Sequence, residues 1–175
     1  MKVWDLSVRV LHWSLAAAVG MAWLTGEALL SLHEAAGYVG LAVVTMRIAW
    51  GWVGGRTACF ARFVRPPGVV WRYAKDAARR AEARHVGHNP LGAWMVVLLM
   101  LSVGAVGLTG WLYTLDMFWG FAWLEALHRN FAWLLLALIG LHVAGVAYAS
   151  WCHRENLVAA MLTGRKRPAA PGDID

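Results

Sequence analysis

Seven histidines occur in this chain, at positions 12, 33, 85, 88, 128, 142 and 153. Four of them, His12, His33, His128 and His142, lie in or at the start of long apolar runs. An ionisable group within such a run is expensive to keep, so each is a functional-site candidate rather than decoration. Taken singly, each also has a plain reading as a hydrogen-bonded core imidazole. Their spacing says more. His142 follows His128 by fourteen residues, which on a helix is about 21 Å along the axis and within about 40° of the same face. One helix therefore presents two imidazoles at two depths, and each has a counterpart on another segment, His142 with His12 and His128 with His33. Zinc wants three or four ligands converging on one point, whereas two imidazoles per point suit a haem iron whose porphyrin supplies the other four. With both axial positions filled by imidazole, the chemistry is electron transfer rather than oxygen binding. Cys59 and Cys152 form no Cys-x-x-Cys-His, so the expected cofactors are two non-covalent haem b groups.

Haem propionates need cationic neighbours, and the forked guanidinium suits carboxylates. Arg9, three residues before His12, and Arg47, fourteen after His33, fall near the first pair, and Arg129 adjoins His128. Arg9 and Arg129 also read simply as interfacial charges, but Arg47 interrupts an otherwise apolar span. Gly37 and Gly40 follow His33, and Gly104, Gly107 and Gly110 recur every third residue on the third span, a pattern that helix packing alone accounts for. His85 and His88 stand in HVGHNPLG, where Pro90 marks a helix start, and are not chosen as axial ligands. His88 is placed to touch a propionate or a quinone, and His153, beside Arg154 and Glu155, is interfacial.

The elements that must position these residues follow from composition. The chain of 175 residues is 60% hydrophobic and 15% charged, with 12 Trp, which excludes an ordinary soluble domain and points to a polytopic membrane protein with indoles at the interfaces. Four runs reach the roughly 20 residues needed to cross a bilayer, from about Val8 to Leu24, His33 to Val53, Leu91 to Leu115 and Leu124 to Trp151. They are continuous rather than alternating, so a membrane barrel is excluded. The expected fold is all-α, an integral membrane four-helix bundle in one domain, residues 1–167, with 168–175 a disordered tail. Asp5 and Arg9 beside the first run, with no small-residue cleavage site after it, read that run as retained.

Charge sets the orientation. Residues 56–84 hold seven Arg and Lys75 against Asp76 and Glu82, and the tail adds Arg154, Arg165, Lys166 and Arg167. The connection 25–34 has Glu27 and Glu34 with no cation, and 113–130 has Asp116 and Glu125 against Arg129 alone. Positive residues mark the cytoplasmic side, so both termini and the central loop are expected inside. The His12–His142 pair is then the inner one and His33–His128 the outer one. The net charge of +6 is topological, and no nucleic-acid partner is implied. Residues 69–85 fit an amphipathic helix on anionic headgroups equally as well as a solvated charged loop.

Together these residues resemble the prokaryotic cytochrome b561 family and the related b-type cytochrome subunits of nickel-iron hydrogenases. The resemblance is carried by VWDLSVRVLHW, HEAAGYVGLAVVTMRIAWGWVG, GHNPLGAWMVV, LHRNFAWLLLALIGLHVAG and NLVAAMLTGRKR, nearly the whole chain. It implies axial ligands at His12, His33, His128 and His142, the four that spacing selects. It also implies a di-haem protein of the bacterial inner membrane, passing electrons between quinol and a periplasmic partner such as a c-type cytochrome. A membrane-anchor cytochrome b subunit of a larger oxidoreductase is the alternative. A histidine-based proton or metal transporter is a third reading from another class. Apolar outer faces also suit a homodimer. The short central loop departs from the longer hydrogenase-type subunits, and four spans depart from the six of ascorbate-using relatives.

Overall fold

The computed structural model describes residues 1–26 and 28–174. Glu27, one of the two acidic residues of the first connection, lies outside the described residues. Among the described residues the chain is all-helical, with α1 Leu6–Thr25, α2 Leu30–Val53, α3 Phe60–Phe63, α4 Pro67–Ala78, α5 Pro90–Tyr113, α6 Ala122–Cys152 and α7 Leu157–Thr163. A single 3-10 turn, Asp116–Phe118, stands between α5 and α6. Helices α1, α2, α5 and α6 are each long and apolar enough to cross a membrane. They match the four apolar runs, with ends shifted by up to three residues. Among the described residues, only isolated bridges, Lys2 with Arg165 and His85 with Ile174, have strand-like pairing.

The helix starts follow from capping chemistry. Asp5 Oδ1 accepts from the Val8 amide at 2.7 Å, Asn89 Oδ1 from the Gly92 amide at 2.7 Å, and Asn156 Oδ1 from the Ala159 amide at 2.8 Å. Each satisfies an otherwise orphaned amide and contributes about 1 kcal/mol. Pro90 follows its cap at the first helical position, where its missing N–H is not needed.

Two helix ends are unusual. After α4, the Arg80 amide donates to Ala77 O at 3.0 Å and the Ala81 amide to Asp76 O at 2.9 Å. After α6, the Arg154 amide donates to Trp151 O at 3.3 Å and the Glu155 amide to Ser150 O at 3.0 Å. Both are Schellman ends, in which the turn residue must take left-handed backbone, normally a glycine. Here it is Arg80 at φ 57° and Arg154 at φ 48°, whereas α7 ends on Gly164 at φ 77°. A side chain in that conformation costs about 1–2 kcal/mol. With the Arg80 turn, α4 stops at Ala78, so residues 69–85 are helical in their first part and loop in the rest.

Contacts divide the chain into two units, residues 10–49 with 98–139 and residues 1–9, 50–97 and 140–175. In the first, the four spans pack in a closed sequence of neighbours. Gly40 of α2 lies against Ala18 of α1, and a Cβ on Gly107 of α5 would come within 3.1 Å of Leu41 Cδ1 on α2. Thr109 of α5 meets His128 of α6 at 3.2 Å, and Trp133 of α6 meets Trp23 of α1 edge-on at 5.1 Å. The outward residues are apolar, as at Leu24, 82% exposed, and Leu101, 65% exposed, which is the surface lipid requires.

The other unit centres on Val3, Trp4, Val86 and Ala160. The Val3 and Trp4 amides both donate to Gly164 O, at 2.8 and 3.2 Å, and the Lys166 amide donates to Met1 O at 3.0 Å. Arg84, with 3% of its side chain exposed, donates Nη2 to Glu155 Oε1 at 2.7 Å and Nε to Glu155 Oε2 at 3.2 Å. Its Nη1 pairs with Asp173. Lys166 Nζ lies 3.8 Å from Glu155 Oε2. Ile174 exchanges backbone hydrogen bonds with 84–86, its amide donating to Arg84 O at 2.8 Å and its carbonyl accepting from the Val86 amide at 2.9 Å. Residues 173–174, in the segment whose composition predicts disorder, thus make definite contacts with the chain just before α5.

Candidate functional site

Two of the four candidate ligands meet within one unit. His33, in the first turn of α2, and His128, two turns into α6, face each other with ring centroids 6.0 Å apart and planes at 80°. Metal–imidazole bonds of about 2 Å on each side would put two axial rings about 6 Å apart, centroid to centroid. The second ring nitrogens are engaged elsewhere. His33 Nδ1 lies 2.8 Å from Ala22 O of α1, and His128 Nδ1 lies 3.1 Å from Val106 O of α5. A carbonyl only accepts, so each Nδ1 carries the proton and donates, which leaves each Nε2 with its lone pair. That is the outer hydrogen bonding metal-bound histidines require, since it fixes tautomer and ring orientation together. The residues therefore fit a haem iron held between two imidazoles.

The setting around this pair is specific. A Cβ on Gly110 would stand 3.0 Å from His128 Cε1 and 3.4 Å from its Nδ1, so glycine is what allows the imidazole to lie against α5. On α2, a Cβ at Gly37, one turn beyond His33, would meet nothing within 4 Å. Both Gly107 and Gly110 let a neighbouring helix approach α5, the first against Leu41 and the second against the His128 ring. Replacing Gly110 by Ala should push the His128 ring by a few tenths of an ångström and lower occupancy of one haem. The ratio of Soret to protein absorbance in the purified variant measures this.

The remaining candidates have surroundings of their own. His12, half-buried on α1, packs edge-on to Trp13 at 5.0 Å. His142, also half-buried, lies on α6 in the other unit. Arg47 is buried, at 7% exposure, in the middle of α2. Arg9 turns to the end of α7, where Nε donates to Met161 O at 3.2 Å and Nη2 donates to Leu162 O. A cation on the last carbonyls of a helix is favoured by the helix dipole. Arg129 is exposed and pairs with Glu125, one turn earlier, at 3.2 Å. Among the described residues no three His, Cys, Asp or Glu side chains converge as a metal cluster.

Two histidines of the central loop have their own surroundings. His88 is enclosed by Trp4, edge-on at 4.7 Å, and Phe63, tilted at 4.3 Å. His85 Nδ1 donates to Ala83 O at 3.1 Å, and its ring meets Tyr73 edge-on at 5.3 Å. Burial lowers the His85 pKa below the usual histidine range, and burial with nearby Glu82 pushes the Tyr73 hydroxyl up to about 12. Both groups are therefore neutral at pH 7 and suit packing more than proton exchange.

Residues 3–164 match the family model described as prokaryotic cytochrome b561. The chain belongs to the prokaryotic cytochrome b561 family. Haem b and electron transport through membrane-spanning helices are the chemistry of that family. Among curated relatives, a probable Ni/Fe-hydrogenase B-type cytochrome subunit of Rhodobacter capsulatus is 24% identical over 212 residues, covering 94% of this chain and 80% of the relative. No solved structure matches. In this cytochrome b561 the hydrogen-bond acceptors at Ala22 and Val106 escaped sequence reasoning, because a backbone carbonyl has no residue-type signature.

Proposed function

We propose that this cytochrome carries electrons across the bacterial inner membrane through two haem b groups, between quinol and a periplasmic redox partner such as a c-type cytochrome. The observation that carries the reading is the His33–His128 pair, ring centroids 6.0 Å apart with both Nδ1 groups committed to backbone carbonyls. Haem, when bound, supplies one-electron chemistry with no open coordination position. The chain's part is to hold two neutral imidazoles at fixed orientation, with Nε2 presented and Nδ1–H donated, inside an apolar, water-poor setting. Carbonyl acceptance of the Nδ1 proton strengthens each imidazole as a ligand.

The second haem takes His12 and His142, a pairing that rests on sequence spacing. The distribution of Arg and Lys supports placing that haem on the cytoplasmic side, with both termini inside. Arg47, buried in the span, is the residue best suited to a propionate. Arg9 and Arg129 keep supporting roles at most, given the carbonyls and carboxylate they already contact.

One observation favours a second reading. The Rhodobacter capsulatus relative is named as a hydrogenase subunit and aligns over nearly this whole chain. Membrane anchoring of a larger oxidoreductase uses the same haem pair and differs only in what docks. Stable co-purification with a catalytic subunit would establish it.

A pyridine haemochrome assay on detergent-purified protein tests the core of the proposal. Two non-covalent b haems per chain are expected. One haem would remove the His12–His142 site, and none would remove the electron-transfer reading altogether. Reduction of the haems by a quinol analogue, followed at the α-band, then tests the donor.

A further inference from the structure

The two left-handed arginines stand at the same place. Arg80 and Arg154 both line a polar cavity of about 310 Å³, together with Glu82, Trp151, Cys152 and His153. The Arg80 guanidinium lies over the Trp151 ring at 4.9 Å. Among the described residues neither arginine side chain makes an ion pair, and both are exposed. Trp151 and Arg154 also line an adjoining, mainly apolar groove of about 600 Å³, whose walls include Val143, Val146, Ala147 and Val158 together with Glu155, whose carboxylate is paired with Arg84.

Two helices, α4 and α6, thus end in turns that ask for glycine, and each supplies arginine instead. Residues held in disfavoured backbone conformations cluster at ligand clamps, where the surroundings over-determine them. A cation at a helix C-terminus is favoured by the helix dipole, but that needs no left-handed residue. The shared cavity is what the two turns have in common. Its two guanidiniums outweigh the single carboxylate of Glu82, so it favours an anion. The groove running from it along the last turns of α6, a membrane-spanning helix, favours an alkyl chain.

We propose that this composite site binds an anionic phospholipid, its phosphate between Arg80 and Arg154 and one acyl chain along the α6 groove. An amphiphile is the one ligand class that uses both compartments at once, and basic pockets beside spanning helices hold anionic headgroups by this chemistry. Trp151 lines both compartments, with Arg80 over its ring, in keeping with the interfacial preference of indole.

The test uses full-length haem-loaded protein, delipidated in detergent and titrated with mixed micelles of phosphatidylglycerol or of phosphatidylcholine. Phosphatidylglycerol should raise the thermal midpoint and phosphatidylcholine should not. The Arg80→Gly/Arg154→Gly double variant should bind phosphatidylglycerol about 30-fold more weakly, from the loss of two phosphate-facing cations. Its lipid-free midpoint should equal or exceed that of the wild type, because glycine relieves both turns. Arginines present for the fold would instead lower that midpoint. In that event the Arg80→Gln/Arg154→Gln variant decides, since it keeps the turns and removes the charge. Loss of the phosphatidylglycerol response in the glutamine variant supports the site, and its retention overturns it. Equal responses to the two lipids overturn it as well. Inorganic phosphate alone reproducing the shift would make this a free-anion site and overturn the lipid assignment.

Discussion

Replacing either His33 or His128 by alanine should halve the haem content of the purified protein, and both variants should lose the same spectral component. The expectation comes from the geometry of the pair, since a ring at 6.0 Å from its partner either shares a metal with it or serves none. Combining the two substitutions should remove no more haem than either alone, because residues acting as a unit are not additive. His12→Ala and His142→Ala should each remove the other component. Haemochrome stoichiometry with low-temperature α-band spectra measures all of this, and circular dichroism confirms that the helices persist. If His33→Ala and His128→Ala removed different components, the pairing would be wrong.

Arg84→Ala should be the most damaging substitution outside the haem sites, at about 3–5 kcal/mol. Removing one member of a buried ion cluster leaves the others uncompensated, and that penalty exceeds what the intact cluster contributed. Glu155 loses two of its donors, and Asp173 loses the contact that holds residues 170–174 to the chain before α5. Protease sensitivity near the C-terminus should rise with the loss of thermal stability. The same cluster sets a pH dependence. In Glu155 burial works upward, but hydrogen bonds and charge from Arg84, Lys166 and the Arg167 amide outweigh it and lower the pKa. In Asp173 the Ala170 amide and Arg84 lower it too. A carboxyl group depressed in the folded state contributes stability that is present above its unfolded pKa, about 4, and is lost as pH falls through the folded value. Wild-type stability should therefore drop below about pH 4, and Arg84→Ala should flatten that acid limb. A steep limb retained in the variant would show that other carboxylates set it.

The four spans were legible because lipid demands unbroken apolar length, and nothing else in a chain of this size looks the same. Their ends were less legible. Asp5 and Asn89 are caps that begin α1 and α5 before the apolar run starts, and caps act through a single side chain rather than a pattern. Helix α7 was read as part of the resemblance but not as a helix, since seven residues carry too little periodicity. Arg84 was counted among the charges that orient the loop, and its burial depends on Glu155 and Asp173 arriving from far along the chain. His33 and His128 were paired by depth, which is linear along a helix, whereas the carbonyls their rings meet emerge only from packing. Gly110 shows the same limit, as its spacing is ordinary and its role comes from the ring beside it.

The backbone acceptors of the histidine pair also govern how the protein is made. Neither ring is anchored by its own helix, for Ala22 of α1 holds His33 of α2, and Val106 of α5 holds His128 of α6. In chain order Ala22 and His33 both precede Val106 and His128, so the first three spans are complete while the partner of His33 is still unmade. On the proposed ligation, cofactor loading at this pair would be a late event in biogenesis, waiting for the last span to dock. A chain truncated before α6 would insert in the membrane and stay colourless at this position, and haem supply would act as a quality check on the completed protein rather than as a template for its assembly.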